Sequence, residues 1–350
     1  MKHYLIALNG FGELLKRRYK GGSLLDYAKK ENFDRISGRG KWGYLHLGKT
    51  LERAYWNLFE DDGNFPGESF LRAGHYGIPV NEGQTSFLSR FMMQVDGRVL
   101  ESGVELTEKE KYGLLEALSL SGGNRKFEFH VRKEETILVF NKNFSEERVL
   151  FPCEMKGREF ARHSYKNKDL EEVSRIIKLS AEILPLDPIN KVKEDLGELS
   201  ANLLWLWGQG RKKQIATVGE RTGRETFYMP LTENSFAPAE LLGFKRITDI
   251  RETENNSLTW INSSLDPGDA YTIWLRKFEN FDRDILGEIL REYRDGKCRV
   301  LLVFDGFLSP DAETRNIWGV FLALGDNSFS RFSLKKYYKN GRSFVEKIIA

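Results

Sequence analysis

Cysteine is nearly absent from this chain: its 350 residues contain two, Cys153 and Cys298, far apart in the sequence. Such sparse cysteines exclude a disulfide framework and are typical of a protein kept in a reducing compartment. The sequence also lacks any apolar run near the ~18 residues of a membrane span. The apolar stretch within Met1–Leu8 is too short for a signal peptide. We therefore expect a cytoplasmic protein without a membrane partner.

A large net charge is missing as well. The 54 Lys and Arg residues nearly balance the 51 Asp and Glu residues, which leaves a formal net charge of +3. The two signs are interspersed along the chain, whereas a nucleic-acid-binding surface needs a concentrated basic patch or stripe. We expect no nucleic-acid partner.

Histidine is scarce and unevenly placed. The five histidines are His3, His46, His75, His130 and His163, so none follows residue 163. A pair of transition-metal ions needs imidazoles and carboxylates that converge on each ion. The second half of the chain offers no imidazole for such a site.

What is present indicates an α/β protein. The length favours two domains, and short apolar strands alternate with helical stretches, which predicts a mostly parallel sheet between helices. The strands that we expect to end at one edge of this sheet finish near Leu8, Leu47, Trp207, Met229, Leu275 and Phe304. Hairpins around Asp96-Gly97 and Lys133–Glu135 predict a smaller β-rich domain between residues 73 and 166.

The most informative stretch is Ser200–Gly210. Five large apolar residues, Leu203–Trp207, predict a strand buried on both faces, and glycines and cations follow it. This order is typical of the carboxyl edge of an α/β sheet, where such folds place their sites. A core strand followed by a solvated turn is the alternative.

Several segments together resemble a known family. They are Leu186–Lys191, Gly197, Ser200-Ala201-Asn202 and Trp205–Arg211. This combination resembles the archaeal-type cofactor-independent phosphoglycerate mutases of the alkaline phosphatase superfamily. The resemblance implies an alkaline-phosphatase-like α/β core at 1–72 and 167–350, with residues 73–166 as an inserted, β-rich α+β domain.

The resemblance also implies positions for metal ligands and a nucleophile. Asn9 stands where the family has a metal-binding aspartate, and Thr50 stands where it has the phosphoryl-accepting serine. Asp305 matches the aspartate of an Asp-His pair whose histidine is here Gly306. We place the Asp-x-x-Gly-His segment of the second metal site at 276–282, which has no histidine. Asn9 and Asp305 are thus remnants of a metal site, and Thr50 is a helix N-cap or a nucleophile.

Cationic residues suggest where an anion would bind. His130 and Arg132 are candidates for an anion site in the inserted domain, or else they decorate its surface. A second set could form a cationic cleft or a solvated face: Lys49, Arg211, Lys212, Lys213, Arg276 and Lys277.

A short pattern offers a competing hypothesis. Residues 43–50, from Gly43 to Gly48-Lys49-Thr50, match the G-x-x-x-x-G-K-T pattern of a phosphate-binding loop. The four residues between the glycines continue an apolar strand, which argues against a small-residue turn.

Three functional hypotheses follow. The first is a non-catalytic mutase homologue that needs no cofactor and binds a phosphorylated small molecule or a protein partner. The second is an active phosphoglycerate mutase or phosphatase, in which Thr50 is the nucleophile and Asn9 and Asp305 hold Mn²⁺ or Zn²⁺. The third is a nucleotide-binding protein that uses residues 43–50. The sequence sets neither the ligand nor the oligomeric state.

Overall fold

The computed structural model describes residues 1–9, 18–19, 21–37, 41–48, 50–60, 62–121, 127–132, 135–231, 238–264, 271–305 and 317–324. The chain divides into two compact units, the first formed by 1–65 and 215–350 and the second by 66–214. In the described part of the chain, no helix is long and apolar enough to cross a membrane. The described strands, in chain order, are β1 Lys2–Asn9, β2 Arg18–Tyr19, β3 Gly22–Ser23, β4 Lys41–Gly48, β5 Thr85–Val95, β6 Arg98–Glu101, β7 Phe127–Val131, β8 Thr136–Phe140, β9 Leu203–Gly210, β10 Glu225–Pro230, β11 Lys245–Arg246, β12 Ser257–Ser264, β13 Cys298–Asp305 and β14 Ile317–Leu324.

The first unit is built on a seven-stranded sheet with the order β11-β10-β12-β1-β13-β14-β4. Strands β11, β10, β12, β1 and β13 are parallel, whereas β14 is antiparallel to both β13 and β4. The helices described in this unit are Glu31–Ser37, Leu51–Asn57, Val218–Thr222, Tyr271–Asn280 and Gly287–Arg294, with a π-helical turn at Phe281–Leu286.

Both faces of this sheet are covered because its central strands are apolar on both sides. On one face, Tyr4, Ile6 and Leu8 pack with Phe33 and Phe281 in a single buried cluster. On the other face, the fully buried ring of Trp260 contacts the rings of Tyr55 and Phe59. This is the predicted α/β architecture, and β1, β4, β10 and β13 end where the sequence indicated.

The second unit contains an antiparallel five-stranded sheet in which β5 is the central strand. It pairs with β8 and β9 on its two sides and with β6 at its far end, and β7 pairs with β8. The rings of Phe87, Phe140 and Phe144 contact one another in its core. The helices described in this unit are Glu68–His75, Glu108–Ser121, Phe160–His163, Glu171–Ile183 and Pro188–Asp195.

Two strand predictions are wrong. Strand β9, expected in the parallel sheet, pairs antiparallel with β5 instead, and Ser180 on the helix Glu171–Ile183 accepts a hydrogen bond from the Leu204 N–H at 2.8 Å. The second unit therefore extends over 66–214, where we expected 73–166. The stretch Ala270–Leu275, expected as a strand, belongs instead to the helix Tyr271–Asn280, and β12 supplies the neighbouring strand.

Candidate functional site

The carboxyl ends of the parallel strands form one edge of the first unit's sheet. Leu8 of β1 stands in register with Ser263 of β12 and Phe304 of β13, so Asn9 and Asp305 end neighbouring strands. Because β14 is antiparallel to both of its neighbours, β4 runs parallel to β13 and also ends at this edge. Thr50 comes two residues after the end of β4, so the edge collects the backbone positions of three predicted site residues. The side chains of Asn9 and Asp305 lie outside the described residues, as does all of Lys49.

Thr50 is the N-cap of the helix Leu51–Asn57. Its backbone is extended, and its Oγ1 accepts a hydrogen bond from the Arg53 N–H at 3.2 Å. The first turn after it is unusually buried for charged residues, with Glu52 at 5% exposure and Arg53 at 9%. The Arg53 guanidinium lies 4.1 Å from the centre of the Phe65 ring. The Thr50 hydroxyl, at the predicted nucleophile position, thus caps the helix Leu51–Asn57.

The phosphate-binding-loop hypothesis is wrong. Residues Gly43–Leu45 of β4 pair with Phe321–Gly319 of β14, and β4 continues to Gly48. A phosphate cradle needs successive backbone N–H groups that converge at a turn. In this strand the backbone is extended and paired in the sheet, so it forms no such cradle.

The predicted second metal segment is also misplaced. Arg276 and Lys277 lie on the helix Tyr271–Asn280 rather than after a strand. The residues that follow strand β12 include Asp266, Gly268 and Asp269, all outside the described residues. Sequence reasoning missed them because it placed the strand at Ala270–Leu275. The alternation of Leu258, Trp260 and Asn262 on one face of Ser257–Ser264 was the available signal.

Asp282 has a structural role. It is 3% exposed, and its two carboxylate oxygens accept hydrogen bonds from the Phe33 N–H at 2.6 Å and the Asn32 N–H at 3.1 Å. The Asn32 side-chain amide in turn donates to the Asp282 carbonyl at 2.8 Å. Burial raises the pKa of this carboxyl despite these hydrogen bonds. Asp282 thus satisfies the amino-terminal turn of the helix Glu31–Ser37 from another part of the chain.

In the second unit, the end of β9 packs closely on the start of the helix Glu68–His75. Gly67, with a φ of +101°, lies so near β9 that a Cβ there would stand 2.7 Å from the Gln209 carbonyl carbon. The Gln209 side chain donates to the Ser145 carbonyl at 3.0 Å and accepts from the Glu147 N–H at 3.2 Å. The glycines and the glutamine after the apolar run therefore hold backbone segments together.

The cations after β9 share one acidic partner. Arg211 and Lys213 each approach the Glu146 carboxylate at 3.2 Å, and the Arg211 N–H donates to the Pro66 carbonyl at 2.8 Å. Lys212 is exposed. Arg211 is therefore a half-exposed ion-pair residue of the second unit.

The other predicted ligand residues lie at the β7–β8 hairpin. The Arg132 guanidinium stands 6.0 Å from the Tyr76 ring centre and donates to the Val131 carbonyl at 2.9 Å. Burial lowers the pKa of His130, which is on β7.

Two residues that sequence reasoning missed join Arg132. Arg72 makes an ion pair with Glu135 at 3.4 Å, and the Glu135 carbonyl accepts from the Arg132 N–H at 2.8 Å. Burial, followed by the charge of Arg72, lowers the pKa of His75, whose ring contacts Tyr76. We call Arg72, His75 and Arg132 the hairpin cationic cluster. It presents two guanidinium groups and an imidazole that favours its neutral form.

The three predicted residues at the sheet edge do not by themselves make a two-metal centre for Mn²⁺ or Zn²⁺. The predicted residues supply an amide, a hydroxyl and one carboxylate, whereas such centres use several carboxylates and imidazoles. Among the residues whose side chains are described, no group of three or more His, Cys, Asp and Glu could hold a metal ion. Of the candidate ligands Asn9, Thr50 and Asp305, only Thr50 has a described side chain.

Comparisons with known proteins find similar sequences of one kind. No family model matches the chain. It is 23% identical over 233 residues to 2,3-bisphosphoglycerate-independent phosphoglycerate mutase 2 of Methanothermobacter thermautotrophicus, a match that covers 64% of this chain and 58% of that protein. The corresponding mutase of Methanosarcina acetivorans is 23% identical over 237 residues, with 64% and 59% covered. The match thus spans less than two thirds of these relatives' length.

Two solved structures share the fold. The cofactor-independent phosphoglycerate mutase from Thermoplasma acidophilum superposes with a TM-score of 0.50 at 18% identity, covering 92% of this chain and 89% of that one. The PH0037 protein from Pyrococcus horikoshii superposes with a TM-score of 0.59 at 18% identity, covering 99% and 95%. The chain is thus similar in sequence to 2,3-bisphosphoglycerate-independent phosphoglycerate mutases, and its α/β fold is that of these two structures.

Proposed function

We propose that this protein is a non-catalytic relative of phosphoglycerate mutase that binds a phosphorylated small molecule. The observation that carries the proposal is the composition of the sheet edge: Asn9 replaces a carboxylate, and no histidine follows residue 163. An amide oxygen is neutral and binds transition metals far more weakly than a carboxylate. Without bound metal, neither hydroxyl activation nor neutralisation of phosphoryl charge is available at this edge.

The hairpin cationic cluster supports binding of a phosphorylated ligand. Arg72 pairs with the Glu135 carboxylate, and the Glu135 carbonyl accepts from the Arg132 backbone N–H, so two residues with planar guanidinium donors meet at this hairpin. Guanidinium groups bind phosphate oxygens through paired, charge-assisted hydrogen bonds. In its favoured neutral form, His75 donates one hydrogen bond without adding charge.

Calorimetry with 3-phosphoglycerate tests ligand binding directly. We expect saturable binding that weakens at least about tenfold in Arg132→Ala, since a charge-assisted pair contributes roughly 1.5–3 kcal/mol. Arg175→Ala is the control because Arg175 is exposed on the helix Glu171–Ile183. Equal affinity of the Arg132→Ala variant and the native protein would refute the assignment of this cluster.

An active enzyme is the second candidate, favoured by the backbone positions of Asn9, Thr50 and Asp305 at one sheet edge. Carboxylates at Asp266 and Asp269 follow β12 in the sequence. Mutase and phosphatase assays with Mn²⁺, Zn²⁺ and Mg²⁺ separate the candidates. Metal-dependent turnover that disappears in Thr50→Ala would establish the enzyme, and no turnover under any metal supports the non-catalytic proposal.

A further inference from the structure

The short helix Pro188–Asp195 and its flanks carry an unusual concentration of exposed apolar side chains. Leu186 is 68% exposed, Val192 57%, Leu196 69% and Leu199 48%. We call these four residues the leucine patch. Single exposed leucines are normal, but several within 14 residues indicate an interaction surface.

The inner face of this helix is firmly held, which fixes the direction of the outer face. The buried Asn190 amide donates to the Leu184 carbonyl at 2.7 Å and to the Ala201 carbonyl at 3.0 Å. The Lys193 ammonium pairs with Glu198 at 2.8 Å and Glu110 at 3.5 Å. Val192 and Leu196, four residues apart, therefore lie together on the opposite, outward side.

The charged residues beside the leucine patch are complementary to the same residues of a second copy of the chain. Lys191 and Asp195 are both exposed and stand four residues apart along one border of the outward face. If a second helix of the same sequence lies antiparallel, with the two helices crossing at the level of Lys193, each Lys191 faces Asp195 of the other copy. An isologous twofold interface forms both ion pairs at once.

We propose that a second copy of this chain docks on the leucine patch, with the two Pro188–Asp195 helices antiparallel about a twofold axis at the level of Lys193, one residue from Val192. The exposed area of the four side chains is on the order of 450 Å², about the size of the largest apolar patch on a typical monomer. A standard interface buries about 800 Å² on each partner. The patch supplies roughly half of that, so the dimer is weak and reversible.

Sedimentation velocity on the full chain, from about 1 to 200 µM, tests the dimer, with an expected Kd on the order of 10–100 µM. The double variant Val192→Lys/Leu196→Lys removes association while circular dichroism remains unchanged. The matched control, Val95→Lys/Leu100→Lys, alters apolar residues of the same unit that are 46% and 42% exposed, and it keeps the native Kd. A native protein that stays monomeric at 200 µM, or a dimer unaffected by the double lysine variant, overturns the proposal.

Charge reversal tests the antiparallel geometry. Lys191→Asp alone and Asp195→Lys alone each place like charges opposite one another and raise the Kd, whereas the combined variant restores it. A parallel or unrelated contact gives no such restoration and overturns the geometry.

Cross-linking adds an independent distance check. Cys153 is an exposed free thiol, so the test uses a Cys153→Ser background. There, Val192→Cys forms an intermolecular disulfide under mild oxidation, because the axis places the residue beside its own copy. Val95→Cys is the control and remains uncross-linked. Equal cross-linking at the two positions contradicts the assigned axis.

Discussion

The carboxyl edge of the first unit's sheet and the end of β9 in the second unit both lie in segments that resemble phosphoglycerate mutases, but they have diverged differently. At the sheet edge Asn9 and Thr50 stand where the resemblance implies a carboxylate and a serine. At the end of β9 the residue types themselves persist. Gly210 and Gln209 there make close backbone contacts that other side chains would disrupt. The residues at the end of β9 that carry the resemblance are therefore packing residues.

Asn32 and Asp282 extend this comparison. They stand 250 residues apart in the sequence and are hydrogen-bonded to each other in the first unit. This pairing is structural, because each residue satisfies buried polar groups of the other segment.

The largest predicted effect comes from the contact at the end of β9. Gly67→Ala places a Cβ against the β9 backbone at a φ of +101°. Neither backbone can move freely, so we expect a loss of at least about 4 kcal/mol in the free energy of unfolding. Urea denaturation followed by tryptophan fluorescence measures it, since Trp205 and Trp207 lie on β9.

Gly74→Ala is the matched control for Gly67→Ala on the same helix. A Cβ at Gly74 meets nothing within 4 Å, and alanine favours a helix interior by about 0.5–1 kcal/mol. We expect unchanged or slightly increased stability. If Gly67→Ala behaved like this control, the close packing at β9 would not explain why the glycines are retained.

A smaller loss is expected from Asp282→Ala. The change leaves the N–H groups of Asn32 and Phe33 without their buried acceptor, which costs about 3 kcal/mol. Asp249→Ala is the comparison, because Asp249 caps the short helix Ile250–Glu252 at an exposed position; we expect a loss of about 1 kcal/mol or less there. Equal losses in urea denaturation would contradict a special role for Asp282.

Sequence reasoning predicted the strand ends of the first unit and failed on the assignment of β9. The run Leu203–Trp207 indicates burial on both faces, but a run of five residues does not specify a parallel or antiparallel neighbour. Its pairing with β5 depends on residues more than a hundred positions away. The stretch Tyr271–Leu275 has strand-favouring residues, yet it continues as a helix through Asn280, because tertiary packing overrides local propensity.

The candidate site could be predicted from the sequence only in part. Thr50 and Arg132 stand next to recognisable strands, so their positions followed from the strand pattern. Arg72 and His75 are polar residues three positions apart on a helix, a spacing that is also typical of a solvated face. Their meeting with Arg132 depends on the packing of that helix near the β7–β8 hairpin, which the sequence pattern does not encode.

At the amino-terminal edge of the first unit's sheet, a buried histidine makes the stability of the protein depend on pH. His3 is 3% exposed, and burial, aided by the charges of Arg224 and Arg299, lowers its pKa from 6.5 to about 4. Between these values the unfolded chain binds a proton that the folded chain does not, so stability decreases as the pH falls from 6.5 to 4. We expect a loss of about 2 kcal/mol, below the ceiling of about 3, because both arginines are partly solvated.

Urea denaturation at pH 7 and pH 4.5 measures this loss, and His3→Leu isolates it. The variant removes the titrating group, so the difference in unfolding free energy between native protein and variant should change with pH. A difference that stays constant over this range would show that the pKa of His3 is not lowered by folding.

The smallest predicted loss of stability is that of Thr50→Ala at the sheet edge. As an N-cap whose Oγ1 accepts one N–H at 3.2 Å, it should contribute about 1 kcal/mol to stability. Thr217 caps the helix Val218–Thr222 with the same 3.2 Å bond to Glu220, so Thr50→Ala and Thr217→Ala should cost similar amounts in urea denaturation. Thr50→Ser should restore most of the loss because serine retains the acceptor. A Thr50→Ala variant that loses turnover but not stability would instead show that the hydroxyl is catalytic. The sheet edge would then have a chemical function, whereas the end of β9 has a packing function.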